Sequence, residues 1–511
     1  NINGVDTDPA FWGPPALGFN SGLYGLSDGP NSNTRNLTQS INVEVQWNRS
    51  RHNVAVGGDF RRQEFNYRDQ SNARGTFTFN ASATNGGVTT AGSDLADMLL
   101  GIPDTSKIAF GNPDKYLRQS VYDLYARDDF RVNPEFSINA GVRWEYGAPI
   151  TETKGRLANL NVGSGFSSVS PVVGSNPTAG FPSSLVRPDK SGIAPNVGIA
   201  WRPISGSSLL IRAGYQISHD TSVYQSSAYS MATQAFATPL TTSASLNNAT
   251  CLLSLTQGFP SCPSITSDTF AIDPNFRVGY VQIWQLSAQR DLPASLQAVV
   301  TYRGTKGTRG VQEFLPNTCP YSSVSTACTS APTGYVFRTS NGNSTREEGI
   351  ATLRRRLRSG FTANLTYTFS KSIDDDYSFG GGTGTGVNPQ VAQDWLHPER
   401  QRGLSTFDQR HLLAAQVQYT TGMGIGGRSL MSGWKGALYK EWTLLTSITA
   451  GSGLPETPLD PVAVPGTGYS GIIRAHYTGA PVYVTSPGRF LNPAAFTAPA
   501  DGQWGDARRN S

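Results

Sequence analysis

Twelve stretches of this chain alternate apolar and polar residues, and the connections between them alternate between a few residues and several dozen. The alternation is clearest over 136–146, where Val142 is one of the apolar positions and Arg143 one of the polar ones, and it recurs over 361–370. A period of two residues is that of a β-strand, so each stretch has one face suited to lipid and one suited to water. Many such strands joined by polar loops are typical of a β-barrel that spans a membrane.

The predicted strands form down–up pairs. The downward strands lie near 37–48, 118–132, 194–202, 279–290, 347–358 and 408–420, and the upward strands near 52–66, 136–147, 208–218, 295–304, 361–370 and 438–450. The turns within pairs are 49–51, 133–135, 203–207, 291–294 and 359–360, with a longer link at 421–437. The connections between pairs are 67–117, 148–193, 219–278, 305–346 and 371–407. Outer-membrane barrels have short turns on one rim and long extracellular loops on the other, whereas a soluble sandwich has no reason to sort its loops this way.

Local patterns add detail to this outline. The segment 74–80 is predicted to be an extra strand above the membrane, and 93–101 a short helix, because Ser93 and Asp94 precede its apolar residues as N-cap residues do. Aromatic residues gather near the strand ends, which predicts girdles at the two headgroup levels, with core packing as the alternative. These residues are Trp47, Phe130, Phe136, Trp144, Tyr146 and Trp201.

Composition agrees with a barrel and excludes a helical membrane protein. Only 37% of the 511 residues are hydrophobic, and no apolar run reaches the length of a membrane helix. The 55 glycines and 32 prolines fit many strands joined by long loops. The net charge of +5 comes from 41 basic and 36 acidic residues scattered along the chain, so no basic stripe indicates nucleic-acid binding.

The four cysteines form two close pairs in long connections, Cys251 with Cys262 and Cys319 with Cys328. In an oxidising compartment each pair could close a small disulfide loop, and the alternative is four free thiols. The sequence has no C-x-x-C zinc pattern, and its five histidines lack the spacing of metal ligands. We therefore predict no metal site and no cofactor.

Two motifs imitate catalytic or phosphate-binding loops without the elements that these require. GLSDG at 25–29 matches a nucleophile elbow, but no strand precedes it and no helix follows. FGGGTGTG at 379–386 lacks the helix pattern of a phosphate-binding loop, so we interpret it as a flexible loop. No catalytic residue is predicted, and the chain is not expected to be an enzyme.

Two charge clusters have a functional and a structural interpretation. The three aspartates at 374–376 could bind Ca²⁺, but they lack EF-hand spacing, so we interpret them as a solvated cluster at a strand end. Four arginines over 354–358 precede the turn at 359–360. At a periplasmic rim their charged ends would reach water or lipid phosphate, which favours anchoring of the strand over ligand binding.

Several strings occur together from about residue 36 to the end. They are YDLYARDDFRV at 122–132, APNVGIAW at 194–201, YVQIWQLSAQRDLP at 280–293, YRGTKGTR at 302–309, SKSIDD at 370–375, RGLSTFDQRH at 402–411, GSGLPETP at 451–458 and FLNPAAF at 490–496. In these strings the chain resembles the barrel of Oar-like TonB-dependent receptors, which are numerous in Acidobacteria and related Gram-negative groups. The resemblance implies an all-β fold, a large antiparallel transmembrane β-barrel surrounded by the lipid of the bacterial outer membrane.

The chain also departs from that family. Its members have a signal peptide, a small β domain and a plug domain before a barrel of about 22 strands. None of the first three is visible, residues 1–30 lack the pattern of a signal peptide, and the family's barrel continues past a segment similar to 504–511. We expect residues 1–35 to be an N-terminal segment of uncertain structure, and 36–511 to be a partial barrel whose first and last strands do not pair regularly.

The resemblance further implies a receptor and transporter. Its loops would capture an extracellular solute, and a plug inside the barrel would be remodelled by the inner-membrane TonB complex. One alternative is an outer-membrane structural or interaction protein without transport, and a passive channel is a weaker one. The loops identify neither the solute nor the residues that contact it.

Overall fold

A computed structural model provides the fold. It describes residues 12–27, 32–69, 73–86, 92–111, 114–166, 168–177, 180–221, 227–228, 230–232, 240–247, 252–259, 269–314, 316, 335–358, 360–375, 398–421, 433–460, 473–486, 489–500 and 503–510.

Strands dominate the described residues. In chain order they are β1 (Ala16–Phe19), β2 (Ser32–Arg49), β3 (His52–Asp69), β4 (Thr76–Phe79), β5 (Thr105–Gly111), β6 (Asp114–Asn133), β7 (Phe136–Gly147), β8 (Thr151–Glu152), β9 (Ala158–Val162), β10 (Val169–Val173), β11 (Ile193–Trp201), β12 (Leu210–His219), β13 (Leu240–Leu246), β14 (Thr269–Ile272), β15 (Tyr280–Leu292), β16 (Leu296–Phe314), β17 (Tyr335–Arg358), β18 (Phe361–Asp374), β19 (Gly403–Leu404), β20 (His411–Thr420), β21 (Thr443–Gly451), β22 (Leu459–Asp460), β23 (Ile473–Arg474), β24 (His476–Tyr477), β25 (Tyr483–Ser486), β26 (Arg489–Leu491) and β27 (Phe496–Thr497). The helices are α1 (Asp94–Leu100), α2 (Gly433–Tyr439) and the 3-10 turns Ser164–Phe166, Pro398–Gln401 and Pro493–Ala495. None of the described helices is long and apolar enough to cross a membrane.

Twelve of these strands form one antiparallel meander in the order β2-β3-β6-β7-β11-β12-β15-β16-β17-β18-β20-β21. All twelve predicted strands are confirmed. Their register places apolar residues in rows across the sheet, as in the row of Val43, Gly58, Leu124 and Trp144. Because residues directly opposite one another share a face, the alternation seen along each strand becomes one apolar face and one polar face of the whole sheet.

The structure corrects two boundaries. The last strand was predicted to begin at 438, but β21 begins at Thr443, because residues 433–439 form helix α2. The connection 305–346 was predicted to be loop, whereas β16 and β17 continue into it and still pair at Phe314 and Phe337. This hairpin therefore extends far beyond the roughly 10 residues that a strand needs to cross a bilayer.

The two edges of the meander are β2 and β21, and these strands do not pair with each other. This agrees with the expectation that the first and last strands do not meet in a regular ladder. Three short strands join the sheet elsewhere: β8 pairs with β6, β14 with β17 and β19 with β18.

A separate sheet is built from the first long connection and its neighbours, in the order β1-β4-β5-β13. The extra strand predicted within 74–80 is confirmed as β4, and the helix predicted over 93–101 is confirmed as α1. The Ser93 side chain accepts a hydrogen bond from the Ala96 amide, and Gly101 ends the helix in the left-handed conformation with φ of 72°. Capping at both ends stabilises a helix that is otherwise short.

Apolar cores lie in the long connections rather than between the faces of the meander. The largest is cluster 1, which we define as Tyr67, Leu117, Ile150, Leu157, Val172, Leu185, Val186, Ala228, Met231, Ala232, Ile272, Phe276 and Val278. Cluster 2, beside α1, contains Phe77, Phe79, Ile108 and Phe259. Several of the long connections thus pack against one another, and structure of this kind is expected for loops of this length.

Candidate functional site

The apolar face of the meander is exposed. Ile41, Val43 and Leu124 each keep 60% or more of their surface accessible, and Leu365 keeps 41%. Covering a side chain of this kind contributes about 1.5–3 kcal/mol, so a continuous exposed face of them requires an apolar surrounding. The predicted alternation is confirmed, and its apolar half faces outward.

Aromatic residues end this apolar face as predicted. Phe60, Tyr122, Tyr146 and Trp144 form a row in which successive ring centroids lie 5.1, 6.0 and 5.9 Å apart. Trp47 at the other end of its strand is 54% exposed. The exposure of Trp47 argues against core packing for that residue, whereas Trp144 and Tyr146 are half-buried. Amphipathic rings prefer the headgroup level of a bilayer.

The opposite face carries a chain of ion pairs centred on Asp123, whose side chain is almost fully buried. Its carboxylate lies 2.8 Å from the guanidinium of Arg61 and 3.0 Å from that of Arg143. Each arginine has a second partner on its own strand, Asp59 at 2.7 Å and Glu145 at 2.9 Å. Alternating charges on neighbouring strands thus neutralise one another across the polar face, as cross-strand pairs do.

A second group of polar side chains lies two residues further along β6, closer to the tight-turn rim. The Tyr125 hydroxyl donates a hydrogen bond of 2.6 Å to Glu44, and Arg127 lies 3.4 Å from the same carboxylate. Gln46 donates to the other oxygen of Glu44 at 2.6 Å. Strands β2 and β6 are not adjacent in the sheet, so these contacts reach across β3 and show that the polar face is concave there.

This concave surface borders an open cavity of about 680 Å³. Its lining combines carboxylates, guanidinium groups and amides, including Asn42, Glu44, Asp59, Arg61, Arg127 and Glu145. Such a surface offers both hydrogen-bond donors and acceptors, which suits a hydrophilic solute or a polar polypeptide.

The loops cover the other end of the polar face. Along β6, every second residue from Lys115 to Asp123 is buried, and these residues share the face of the ion pairs. Leu117 belongs to cluster 1, where it packs with loop residues such as Ile150 and Met231. The long connections therefore fold over the concave face at the rim opposite the tight turns, while the cavity near Arg127 remains open.

The loop before β11 is held against the barrel wall by an ion pair. Asp189 accepts hydrogen bonds from the Ser191 amide at 3.0 Å and from its hydroxyl at 2.6 Å, and lies 3.4 Å from Arg309. Burial alone would raise the pKa of Asp189, but the hydrogen bonds from Ser191 and the nearby guanidinium lower it overall. Lys190, the next residue in the loop, accepts a hydrogen bond at its backbone carbonyl from Trp144 Nε1 on β7, at 2.9 Å.

The charge clusters singled out in the sequence have structural partners. Asp374 was interpreted as solvated, which is wrong: it is buried in an ion pair with Arg509, which also donates to the Asp374 carbonyl at 2.9 Å. The sequence could not show this pair because 135 residues separate its members. In the arginine run, Arg356 pairs with Asp291 at 3.2 Å and Arg355 lies over the Phe361 ring at 4.7 Å, so both contact groups of the protein, and contact of the run with lipid phosphate stays a prediction.

The remaining sequence candidates give no site. Cys251, Cys262, Cys319 and Cys328 lie outside the described residues, as does the glycine-rich run 379–386. Within the described part of the chain, no group of three or more histidine, cysteine, aspartate or glutamate side chains could hold a metal ion. Sequence reasoning did not find the ion pairs around Asp123. The alternation along a strand shows that its polar residues face inward, but it does not show which charged side chains meet.

An antiparallel meander with an apolar outer face, a concave charged inner face and structured loops at one rim is the barrel wall of an outer-membrane protein. The chain belongs to the outer membrane beta barrel domain family, whose model matches residues 1–511. The protein therefore resides in the bacterial outer membrane, its concave face is the lumen, and its tight-turn rim is periplasmic by the general rule for such barrels.

Solved structures with a similar fold are outer-membrane receptors and transporters. The alcaligin receptor FauA from Bordetella pertussis is 11% identical, with a TM-score of 0.34 over 78% of this chain and 45% of that one. The transporter YddB from Escherichia coli is 11% identical, with a TM-score of 0.44 over 85% and 50%. The ferric-catecholate import receptor Fiu from E. coli is 11% identical, with a TM-score of 0.37 over 76% and 43%. This chain thus spans half or less of their length, and no curated protein sequence matches it.

Proposed function

We propose that this chain is barrel wall of a TonB-dependent receptor and transporter of the Oar-like type. Its extracellular loops capture a solute, and a plug in the lumen is remodelled when the inner-membrane TonB complex pulls on it. The observation that carries the proposal is the combination of structured loops over the extracellular mouth with an open, charged lumen beneath them. A wall that served only to seal or stiffen the membrane would need neither.

The luminal ion pairs support a partner inside the barrel. Asp123 and its two arginines are held in fixed positions, yet Arg61 and Arg143 keep 35% and 44% of their side chains exposed to the lumen. Guanidinium groups in this state still have free donors, which can bind carboxylates or carbonyls of a plug or a solute. The surface is therefore organised in advance, which lowers the cost of binding.

We also propose that residues 36–511 are one part of a larger barrel wall. Unpaired backbone groups in hydrocarbon cost several kcal/mol each, so the edges at β2 and β21 require pairing with further strands. The family resemblance offers such strands, together with the plug. The residues before β2, which begins at Ser32, would then precede the wall.

The disulfide pairs remain a proposal. Cys251 is expected to bond with Cys262, and Cys319 with Cys328, each closing a small loop on the extracellular side. Peptide mapping without reductant should find these two bonds and none between the loops. A bond from Cys251 to Cys319, or four free thiols, would reject the pairing.

Transport can be tested without knowing the solute. Cells with and without the intact gene are grown in a complex medium, and the solutes removed from the medium are compared by mass spectrometry. We expect at least one solute to be depleted only when the gene is present, and depletion to stop when a protonophore removes the energy that TonB uses. Substitution of Asp123 by asparagine should slow the same depletion.

Other outcomes of this experiment select the alternatives. Depletion that continues with the protonophore would indicate a passive channel. No depletion in any medium, together with altered adhesion or envelope integrity on gene loss, would indicate a structural or interaction protein.

A further inference from the structure

Helix α2 and the residues after it expose apolar side chains in the described part of the protein. Trp434, Leu438, Tyr439 and the following Trp442 are 68%, 57%, 55% and 69% exposed, respectively. None of these four apolar side chains is packed in a core of the described residues, although the burial of apolar surface is favourable. An isolated helix of seven residues is also marginal in water. Some surrounding other than water must therefore stabilise this segment.

The segment is fixed to the periplasmic rim. It joins the end of β20 to the start of β21, the same end of the sheet as the tight turns. The Thr421 amide donates to the Trp442 carbonyl, and the Glu441 amide donates to the Thr421 carbonyl, both at 2.9 Å. The Trp442 indole closes the unit by donating from Nε1 to the Leu438 carbonyl at 2.8 Å. These bonds place the aromatic cluster directly below the membrane-spanning strands.

The cluster is continuous with the lipid-facing surface. Leu444 pairs with Tyr419, which pairs with Phe361, and this row lies on the apolar outer face. Trp442 precedes Leu444 by two residues, so in an extended chain the two side chains point the same way. The outer face thus continues from β21 to Trp442, whose indole contacts the end of the helix at the Leu438 carbonyl.

The polar groups nearby fit the headgroup region rather than the hydrocarbon. Lys435 lies beside the Trp434 ring, with Nζ 5.7 Å from its centroid, and Lys440 is 3.5 Å from Glu441. An amphipathic segment that combines tryptophan, leucine and lysine prefers the boundary between acyl chains and phosphates. Lysine near that level also attracts anionic lipids.

We propose that α2 and Trp442 form an interfacial anchor that lies in the phospholipid headgroup region of the periplasmic leaflet, with Lys435 directed to lipid phosphate. The anchor fixes the depth of the β20–β21 hairpin in the bilayer. The anchor does not depend on solute transport. The experiment can therefore reject the anchor while the proposed function holds, or support the anchor while the proposed function is rejected.

The test uses the full natural chain reconstituted in vesicles of phosphatidylethanolamine and phosphatidylglycerol. Tryptophan fluorescence of the protein is compared with that of a Trp434→Phe/Trp442→Phe variant, and the difference reports on these two residues. We expect lipids brominated near the headgroup, at acyl carbons 6 and 7, to quench the difference signal at least twofold more than lipids brominated at carbons 11 and 12. Iodide in the water should quench it weakly.

A control and a second variant separate the possible outcomes. The signal lost in Trp504→Phe, whose side chain is buried in the protein, should be quenched by neither lipid. Lys435→Gln should reduce the blue shift of the Trp434 and Trp442 emission that phosphatidylglycerol produces. Strong quenching by iodide, or no quenching by either brominated lipid because protein covers the helix, would overturn the proposal.

Discussion

Asp123 shows how single residues set the character of the lumen. It lies on a strand whose outward neighbours, Tyr122 and Leu124, are exposed to lipid, so one position along the chain separates a hydrocarbon surrounding from a charged one. Because its carboxylate is shared by Arg61 and Arg143, it links three strands through side chains as well as through the backbone.

Replacing Asp123 should weaken the wall by a moderate amount. Asp123→Asn removes the shared anion, but Arg61 and Arg143 keep their other partners and are partly exposed, so we expect a loss of about 1–3 kcal/mol in the free energy of unfolding. Urea unfolding of the reconstituted protein would measure this. Asp129→Asn, on the same face but exposed, should change it by less than about 0.5 kcal/mol. Equal losses in the two variants would contradict the shared role of Asp123.

Opposite faces of one strand should also differ. An arginine at the bilayer midplane of a barrel costs about 2–4 kcal/mol, so Val142→Arg, at an outward position that is 48% exposed, should impair assembly. Asn139→Arg faces the lumen beside Asp129 and should be tolerated. The folded fraction is measured by the shift in gel mobility between unheated and boiled samples. If both variants assembled equally well, the two-faced arrangement of β7 would be wrong.

At the scale of elements, the extracellular loops are secured to the strands by few but specific contacts. Asp189 connects the segment before β11 to Arg309 on β16, at a point where Arg309 has φ of 60° within a β-bulge. A non-glycine residue in this conformation is held there by its surroundings, and here the guanidinium also lies over the Tyr280 ring at 5.6 Å.

This contact predicts a pH dependence. The pKa of Asp189 is lowered in the folded protein, so its contribution to loop attachment is complete above the unfolded value of about 3.9 and is lost as the pH falls through the folded value. Hydrogen exchange of residues 180–192, corrected for intrinsic rates, should therefore increase in the wild type below about pH 4. Asp189→Asn should exchange several-fold faster at neutral pH and lose this dependence. An unchanged rate in the variant would show that Ser191 and Arg309 do not hold the loop.

At the scale of the whole molecule, the meander separates two rims with different construction. The periplasmic rim has tight turns, such as the one between β2 and β3, together with α2. The extracellular rim has the small sheets and the apolar clusters. Loop packing at one rim leaves the lumen open at the other, which is the arrangement that the proposed receptor would need.

This orientation can be checked in living cells. A cysteine introduced by Ser50→Cys should be protected from a maleimide that does not cross the outer membrane, whereas Ser164→Cys, in the connection between β9 and β10, should be labelled. Parent protein gives the background from the native cysteines. Permeabilised cells should label both positions. Labelling of Ser50→Cys but not Ser164→Cys in intact cells would reverse the topology.

The sequence by itself determined the strands and their faces. A period of two residues leaves little choice of secondary structure, and each apolar set must face lipid, so Val142 and Leu365 could be placed correctly without coordinates. The tight turns, strand β4 and the capped helix α1 followed from local chemistry in the same way. These features depend on residues close together in the chain.

Only the tertiary structure decided which side chains meet. Asp123 with Arg61, Asp374 with Arg509 and Asp189 with Arg309 join residues from different hairpins or loops, which meet only when parts of the chain far apart in sequence pack together. Helix α2 was also missed, because seven residues carry too short a pattern to be separated from the following strand. Distance along the chain is therefore the physical limit: periodicity reports which face a residue occupies, and folding alone determines what it contacts.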